Sequence, residues 1–236
     1  MTQAPAAQSR NTLKGIAILA SLPPDSVERI ERRCAWKHYA PGEPILDYLD
    51  KSDDVFFIVL GEVRVTIYST VGKAVSFREM GSGEIFGEFP AIDGGPRSAS
   101  VEARTNCLIA SMPASTFREL LETEPGLANA LLPRLTKTIR ALTTRVYEFS
   151  TLAVNNRVQA ELLRLARFGP KDGKSARIVP APTHVEIASR VSTHREAVTR
   201  ELNRLSRIGI IERRGGTLLV TDVDRLADMV HDATGE

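Results

Sequence analysis

Between Tyr39 and Met112 the chain breaks into short β-rich runs: Pro44–Leu49, Val55–Leu60, Val63–Tyr68, Ala74–Met80, Ser98–Ala103 and Cys107–Pro113. Gly42, Gly61, Gly72, Gly81 and Gly83 punctuate them. Many short strands at near-regular spacing predict a small antiparallel roll or sandwich, a shell able to enclose one small ligand. The expected architecture is therefore α+β, because helical periodicity flanks this block on both sides. Leu13 to Trp36 shows helical spacing broken at Pro23-Pro24, with Asp25 and Glu28 spaced as a capping box. Residues 1–10 are small and polar and are expected to be disordered.

One stretch inside the block carries chemistry: Gly83-Glu84-Ile85-Phe86-Gly87-Glu88-Phe89, a short loop, then Arg97-Ser98-Ala99. Gly87 allows unusual backbone angles and close approach, so the amides after it can face an anion as a nest. Arg97 offers a permanently charged planar fork suited to two phosphate oxygens. Ser98 adds a hydroxyl donor and Ala99 leaves room. A carboxylate at Glu88 repels phosphate and should face a hydrogen-bond donor such as a ribose hydroxyl. The alternative is that Glu88 and Arg97 simply pair in a loop that binds nothing.

Helical signals resume at Ala114. Leu132, Leu135, Ile139, Leu142, Val146, Phe149 and Ala153 alternate at spacings of three and four, a narrow a/d seam of about three heptads that predicts pairing with a second copy. Pro133 is expected to start or kink this helix. Asn155-Asn156 is expected to end it, with Asn156 and Gln159 capping a helix to Phe168. Gly169 to Pro182 reads as a surface loop or hairpin. The implied division is a ligand-binding domain over 1–125, a dimerisation helix over 126–155 and a third domain over 156–236.

Charge separates these parts. Residues 1–156 hold 17 Lys and Arg against 18 Asp and Glu, net −1, whereas residues 157–217 hold 13 against 6, net +7. A basic block behind a neutral one marks a nucleic-acid module behind a sensing module. Within it, Thr183 and Glu186 form a capping-box pattern for a short helix, Ser192 makes a turn, and Thr193-His194-Arg195-Glu196 caps a second helix with Val198, Leu202 and Leu205 as its core face. Ile210–Arg213 and Thr217–Val220 flank Arg214-Gly215-Gly216 as a hairpin wing. Together these predict a winged helix-turn-helix. Arg195, Glu196 and Arg200 lie where such a helix reads bases: Arg matches guanine O6 and N7, and Glu accepts from cytosine N4. The competing reading is an i,i+4 pair of Glu196 and Arg200 on a solvated face.

Both motifs carry one resemblance. Phe86-Gly87-Glu88 with Arg97-Ser98-Ala99, and the helix string Arg195-Glu196-Ala197-Val198-Thr199-Arg200, resemble the cyclic-AMP receptor protein/FNR family of bacterial transcription regulators over about residues 13–225. The resemblance implies an N-terminal jelly-roll-like cyclic-nucleotide-binding β-roll, a long dimerisation helix and a C-terminal winged helix-turn-helix. It implies cAMP or cGMP as effector, with Gly87, Glu88, Phe89, Arg97, Ser98 and Ala99 around ribose and phosphate. Leu142, Thr143 and Thr144 then close on the purine, with Leu142 where the family usually has Thr and Thr143 where Ser is usual. Thr193, His194, Arg195, Glu196, Thr199, Arg200, Arg213 and Arg214 become the DNA-binding set, on a palindrome of TGTGA-like half-sites. The implied partners are double-stranded DNA, a second copy of the chain and RNA polymerase.

Other classes find less support. Cys34 and Cys107 are too few for a disulfide framework or a cysteine-ligated iron–sulfur cluster and read as small buried hydrophobes. A regulator of the same fold responding to redox, gas or haem has only Cys34 and the scattered histidines 38, 184, 194 and 231 to draw on. An enzyme processing cyclic nucleotides lacks the acidic and histidine metal cluster, so neither metal nor catalysis is expected. No apolar run suits a membrane span and no signal pattern opens the chain, so a cytoplasmic protein without membrane contact is expected.

Overall fold

The computed structural model describes residues 11–48, 50–68 and 74–234. The chain forms two compact units whose boundary falls inside one helix, between Thr138 and Ile139, with residues 74–77 grouping with the second.

The first unit opens with a 3-10 turn at Ala17–Leu19 and helix α1, Pro24–Glu31. Eight strands follow: β1 Ala35–Tyr39, β2 Pro44–Leu46, β3 Val55–Leu60, β4 Glu62–Tyr68, β5 Ala74–Gly81, β6 Ile85–Phe86, β7 Ser100–Ala103 and β8 Cys107–Met112, with α2, Glu88–Asp93, between β6 and β7. They make two antiparallel sheets, ordered β1-β8-β3-β6 and β2-β7-β4-β5. Leu46, Val63, Val101 and Ala103 from one sheet meet Phe56, Ile58, Phe86 and Ile109 from the other in the interior of the roll. The alternate residues of β3, β6 and β8, including Phe57, Ile85, Ala110 and Met112, face outwards into a second core with Ile30, Phe117, Leu127 and Leu131 from helices. Because strand side chains alternate between faces, the uninterrupted Val-Phe-Phe-Ile-Val-Leu run of β3 is explained by apolar partners on both sides.

Helix α3 spans Ala114–Thr123 and the long helix α4 spans Pro125–Thr151. The second unit takes the C-terminal part of α4 and adds α5, Val154–Phe168; β9, Lys171–Asp172; β10, Ser175–Ile178; α6, His184–Arg190; α7, Arg195–Arg207; β11, Ile211–Arg214; β12, Thr217–Val220; and α8, Val223–Thr234. Its sheet runs β11-β12-β10-β9, and Val158, Leu162, Ile187, Val198, Leu205, Val220 and Leu226 form its core. This is the α+β arrangement of roll, long helix and winged helix-turn-helix.

Several local expectations are corrected. Helical spacing does not continue to Trp36: Ala35–Tyr39 is a strand, paired from Ala35↔Ser111 to Tyr39↔Cys107 with β8. No capping box forms at Asp25 and Glu28, because α1 starts at Pro24 after Pro23 and the fixed φ of proline suits the first helical position. Pro133 lies inside α4 rather than at its start. The helix ends at Thr151, and α5 begins after Ala153 without a side-chain cap. Asn156 does not cap it, and Gln159 is buried instead, donating to Glu201 at 2.7 Å. The cap of α7 is His194, not Thr193, and makes no side-chain cap bond. Residues 1–10 lie outside the described residues. Thr183 and Glu186 do form the expected reciprocal box, and the wing turns through Gly215-Gly216 with Arg214 opposite Thr217.

A polar cluster braces the second unit. Glu161, 1% exposed in its side chain, receives Arg145 at 3.2 Å, Arg190 at 3.4 Å and the Arg164 guanidinium. Arg164 also grips Glu148 with bonds of 2.7 and 2.8 Å, and Arg145 donates to the Arg190 carbonyl at 2.8 Å. The last turns of α4 are thereby tied to α5 and α6.

Candidate ligand and nucleic-acid sites

In the first unit the cassette is a strand, a left-handed glycine and a short helix. β6 pairs with β3 through Phe56↔Phe86 and Phe57↔Ile85, and the Phe56 and Phe86 rings stack at 4.9 Å. Gly87 then adopts φ 77 as the N-cap of α2. A Cβ there would come within 2.7 Å of Arg97 Nη1 and 2.9 Å of the Asp54 carbonyl, so glycine is required both by the backbone and by the space. Gly87 supplies no side-chain cap to α2, and the Glu88 carboxyl turns back on its own backbone amide at the first position. Arg118 holds the helix from α3 by donating to the Ala91 carbonyl at 2.9 Å.

Two opposite charges are buried in this cassette. Glu88 is 9% exposed; burial pushes its carboxyl above the usual range, and a bond from its own backbone amide, then Arg134 and Arg78, pull it partly back. Arg97 is 3% exposed and lies against the Phe56 ring at 5.6 Å. Nη1 donates to the Gly87 carbonyl, and Nη2 donates to Ser52 Oγ and to the Asp54 carbonyl, each at 3.0 Å. Its buried Nε has no acceptor among the described residues. Burial lowers the pKa of this guanidinium, and Asp54, Asp53 and Asp50 oppose that shift. Among the described residues Glu88 and Arg97 form no ion pair with each other; each has its own surroundings. Ala99 is buried, while Ser98 and Phe89 are exposed.

Sequence reasoning missed three members of this site. Ser52 and the Asp54 carbonyl sit 45 and 43 positions from Arg97, a pairing that no spacing rule anticipates. Arg134 donates to the Ile85 carbonyl at 2.6 Å, and burial lowers its pKa while Glu88 raises it. A signal for Arg134 did exist: it falls seven and three residues after Leu127 and Leu131, on the buried stripe of α4.

The seam residues of α4 divide. Leu132, Ile139, Leu142 and Val146 are 59–64% exposed, and Phe149 less so, whereas Leu135 packs against the outer core of the first unit. Thr143 and Thr144 donate to the carbonyls of Ile139 and Arg140 at 3.0 and 3.1 Å. With their protons so used, both hydroxyls present lone pairs outwards.

In the second unit the helix-turn-helix is closed by Ser192 at φ 49. On α7, Arg195, Glu196 and Arg200 are exposed, while Val198, Leu202 and Leu205 are buried. The base-facing candidates thus share the solvent side of the helix, and among the described residues Glu196 and Arg200 form no ion pair with each other. Thr199 does not stand alone: its hydroxyl donates to the Arg195 carbonyl at 3.0 Å and lies 2.7 Å from His184 Nδ1. His184, from the first turn of α6, is held below its ordinary pKa by burial and by Arg213 and Arg195. Arg213 is exposed on the wing, whereas Arg214 is paired with Glu212 at 2.7 Å. A groove of about 510 Å³ runs beside α7 between Arg200, Arg204 and Arg207 and the uncapped start of α5 at Val154 and Asn155.

Comparison with known proteins matches both parts of the chain to known domains. Residues 36–124 match the cyclic nucleotide-binding domain and residues 156–229 the Crp-like helix-turn-helix domain. The chain is 30% identical over 190 residues to the CRP-like cAMP-activated global transcriptional regulator of Mycobacterium tuberculosis, covering 80% of this chain and 82% of that one. Among solved structures it resembles the c-di-GMP responsive global regulator CLP of Xanthomonas campestris, with TM-score 0.72 and 20% identity over 84% of this chain and 99% of that one. A mutant of CooA from Carboxydothermus hydrogenoformans gives TM-score 0.75 at 20% identity over 94% and 96%.

Proposed function

Because the chain belongs to the cyclic-AMP receptor protein/FNR family of transcription regulators, we propose that it is a homodimeric regulator whose first unit takes a 3′,5′-cyclic purine nucleotide and whose second reads a palindromic operator. The observation that carries the effector reading is a buried guanidinium with an unpartnered Nε beside a separately buried carboxylate in one cassette. A donor without an acceptor suits an anion, and an acceptor-only carboxylate suits a ribose hydroxyl. Arg97 takes the cyclic phosphate together with the amides opening α2 and the Ser98 hydroxyl, and Glu88 takes the ribose. Thr143 and Thr144, whose protons are used within α4, accept rather than donate. That favours a purine amino group and makes cAMP the first effector to test. The cAMP-activated relative supports the same choice.

For DNA, Arg195, Glu196 and Arg200 read base edges in TGTGA-like half-sites about one turn, roughly 34 Å, apart. Thr193, His194, Thr199, Arg213 and Arg214 hold the backbone, joined by the Val154 and Asn155 amides, which open a helix facing a basic groove. RNA polymerase is the further partner expected of such a regulator.

Calorimetry with cAMP and cGMP tests the effector. One site per chain is expected, and Arg97→Ala should weaken binding by about one to three decades, the cost of about 2–5 kcal/mol for breaking an enclosed charge-assisted contact. No binding heat with either nucleotide would refute this reading of the cassette. Operator selection tests the DNA assignment: a non-palindromic or unrelated site would exclude it, whereas Glu196→Ala should relax one base pair by about 1–3 kcal/mol.

A further inference from the structure

The guanidinium assigned to the phosphate is already engaged. A guanidinium has two edges that can hold an oxyanion with two parallel N–H bonds, Nε with Nη2 and Nη1 with Nη2. Each edge needs an Nη2 hydrogen. In Arg97 both Nη2 hydrogens are taken, one by Ser52 Oγ and one by the Asp54 carbonyl, each at 3.0 Å. Nε is left buried with no acceptor, so half of one edge waits while its other half is occupied. The side chain is withdrawn to 3% exposure, whereas Ser98, its neighbour in the cassette, is exposed.

The two Nη2 acceptors differ in how easily they let go. The Asp54 carbonyl belongs to the backbone immediately before β3, the strand paired on both sides by β8 and β6. Ser52 offers only a hydroxyl on a two-atom side chain, in the segment between β2 and β3, and rotation about one bond removes it. Release of Ser52 frees an Nη2 hydrogen for an incoming oxyanion.

We infer that Ser52 is an internal competitor for the effector phosphate: it holds Arg97 in a stored position and sets the concentration at which a cyclic nucleotide can claim it. This rests on the cyclic-nucleotide reading of the cassette. Asp50, Asp53 and Asp54, which act electrostatically on Arg97, strengthen the same hold. Exchanging a protein acceptor for a ligand acceptor keeps the number of bonds to Nη2 constant, so the apparent affinity is lowered by the worth of the bond given up.

The test is calorimetric titration of the full chain with cAMP and, separately, cGMP, in the wild type and in three variants. Ser52→Ala leaves the Nη2 hydrogen unpaired before binding and satisfied after it, so it should bind about tenfold tighter, in line with one hydrogen bond to a charged group. Ser52→Cys, similar in shape but a poorer acceptor, should move the same way by less, and Ser52→Thr, which keeps the hydroxyl, should match the wild type. Circular dichroism and thermal unfolding check that each variant folds. Unchanged affinity in Ser52→Ala, with normal wild-type binding, overturns the competitor role and leaves the cassette reading intact. Weaker binding in Ser52→Ala and Ser52→Cys also overturns it and makes Ser52 a direct phosphate donor. A wild type that binds neither nucleotide refutes the cassette reading and this inference together.

Discussion

Ser192 holds φ 49 in the turn between α6 and α7, the one residue other than glycine with a positive φ among the described residues. A left-handed conformation costs an L-residue about 1–2 kcal/mol, and glycine loses about 0.5–1 kcal/mol of that advantage to its freer unfolded chain. Ser192→Gly should therefore raise the stability of the second unit by about 0.5–1 kcal/mol, since Ser192 meets Arg157 through its carbonyl, at 3.5 Å, which glycine keeps. Urea denaturation measures it, and a destabilised variant would show that the hydroxyl has an essential partner. At Cys34, burial first and Glu31 second push the thiol up to about 12 from an ordinary 9.0. Its thiolate fraction at pH 8 is then about a thousandfold below that of a free cysteine. Alkylation of the native protein at pH 8 should be correspondingly slow. Rapid modification of Cys34 would reopen a redox-responsive reading, which this environment does not favour.

The end of α4 and the start of α5 are separated only by Leu152 and Ala153, yet their geometry is fixed by buried charge. Glu161 accepts from three arginines on three helices, α4, α5 and α6. Burying such a carboxylate is costly in itself, so its presence is weak support for stability, but removing it leaves guanidiniums without their counter-charge. Glu161→Ala should destabilise the second unit by about 3–5 kcal/mol. Exposed pairs such as Arg33 with Glu119 should give little when broken, because solvent screens them. Denaturation of Glu161→Ala and Glu119→Ala separates the two cases, and equal small effects would mean that water reaches Glu161. The same cluster gives α4 a stiff connection to the helix-turn-helix within this unit, as an element needs if it is to transmit a change rather than absorb it.

For the whole molecule, the exposed Ile139, Leu142 and Val146 on α4 are the surface on which a second copy is proposed to sit. Val146→Glu should convert a dimer to monomer in analytical ultracentrifugation, and a wild type that sediments as monomer would remove the basis for a two-fold operator. If α4 carries the message between effector and DNA, saturating cAMP should change operator affinity by about 1–3 kcal/mol, and operator DNA must change cAMP affinity by the same factor. Only a difference in affinity between two dimer arrangements produces this. Thr143→Ala should reduce the coupling more than it reduces nucleotide affinity, since phosphate and ribose contacts remain. Operator titrations with and without nucleotide measure both quantities, and identical wild-type affinities would mean the sites are not linked.

Period and punctuation in the sequence were enough to place most strands of the roll, the long helix, the capping box at Thr183 and the Gly-Gly wing. Each of these is written in neighbouring residues, through alternation, heptad spacing or turn chemistry. The cassette was legible for the same reason, as Gly87, Glu88 and Arg97 lie within one short stretch. Contacts across the chain were not. Ala35–Tyr39 is a strand because β8 supplies its partners 68 to 76 positions later, which overrides a helical spacing continued from α1. Arg97 meets Ser52, Arg134 meets Ile85 and Glu161 gathers Arg145 and Arg190 only once the backbone has folded. Residue types and local periods determine which elements form and which chemistry is available. Which charges are buried, and what already occupies them, depends on chain closure over tens of residues, and only the tertiary structure decides it.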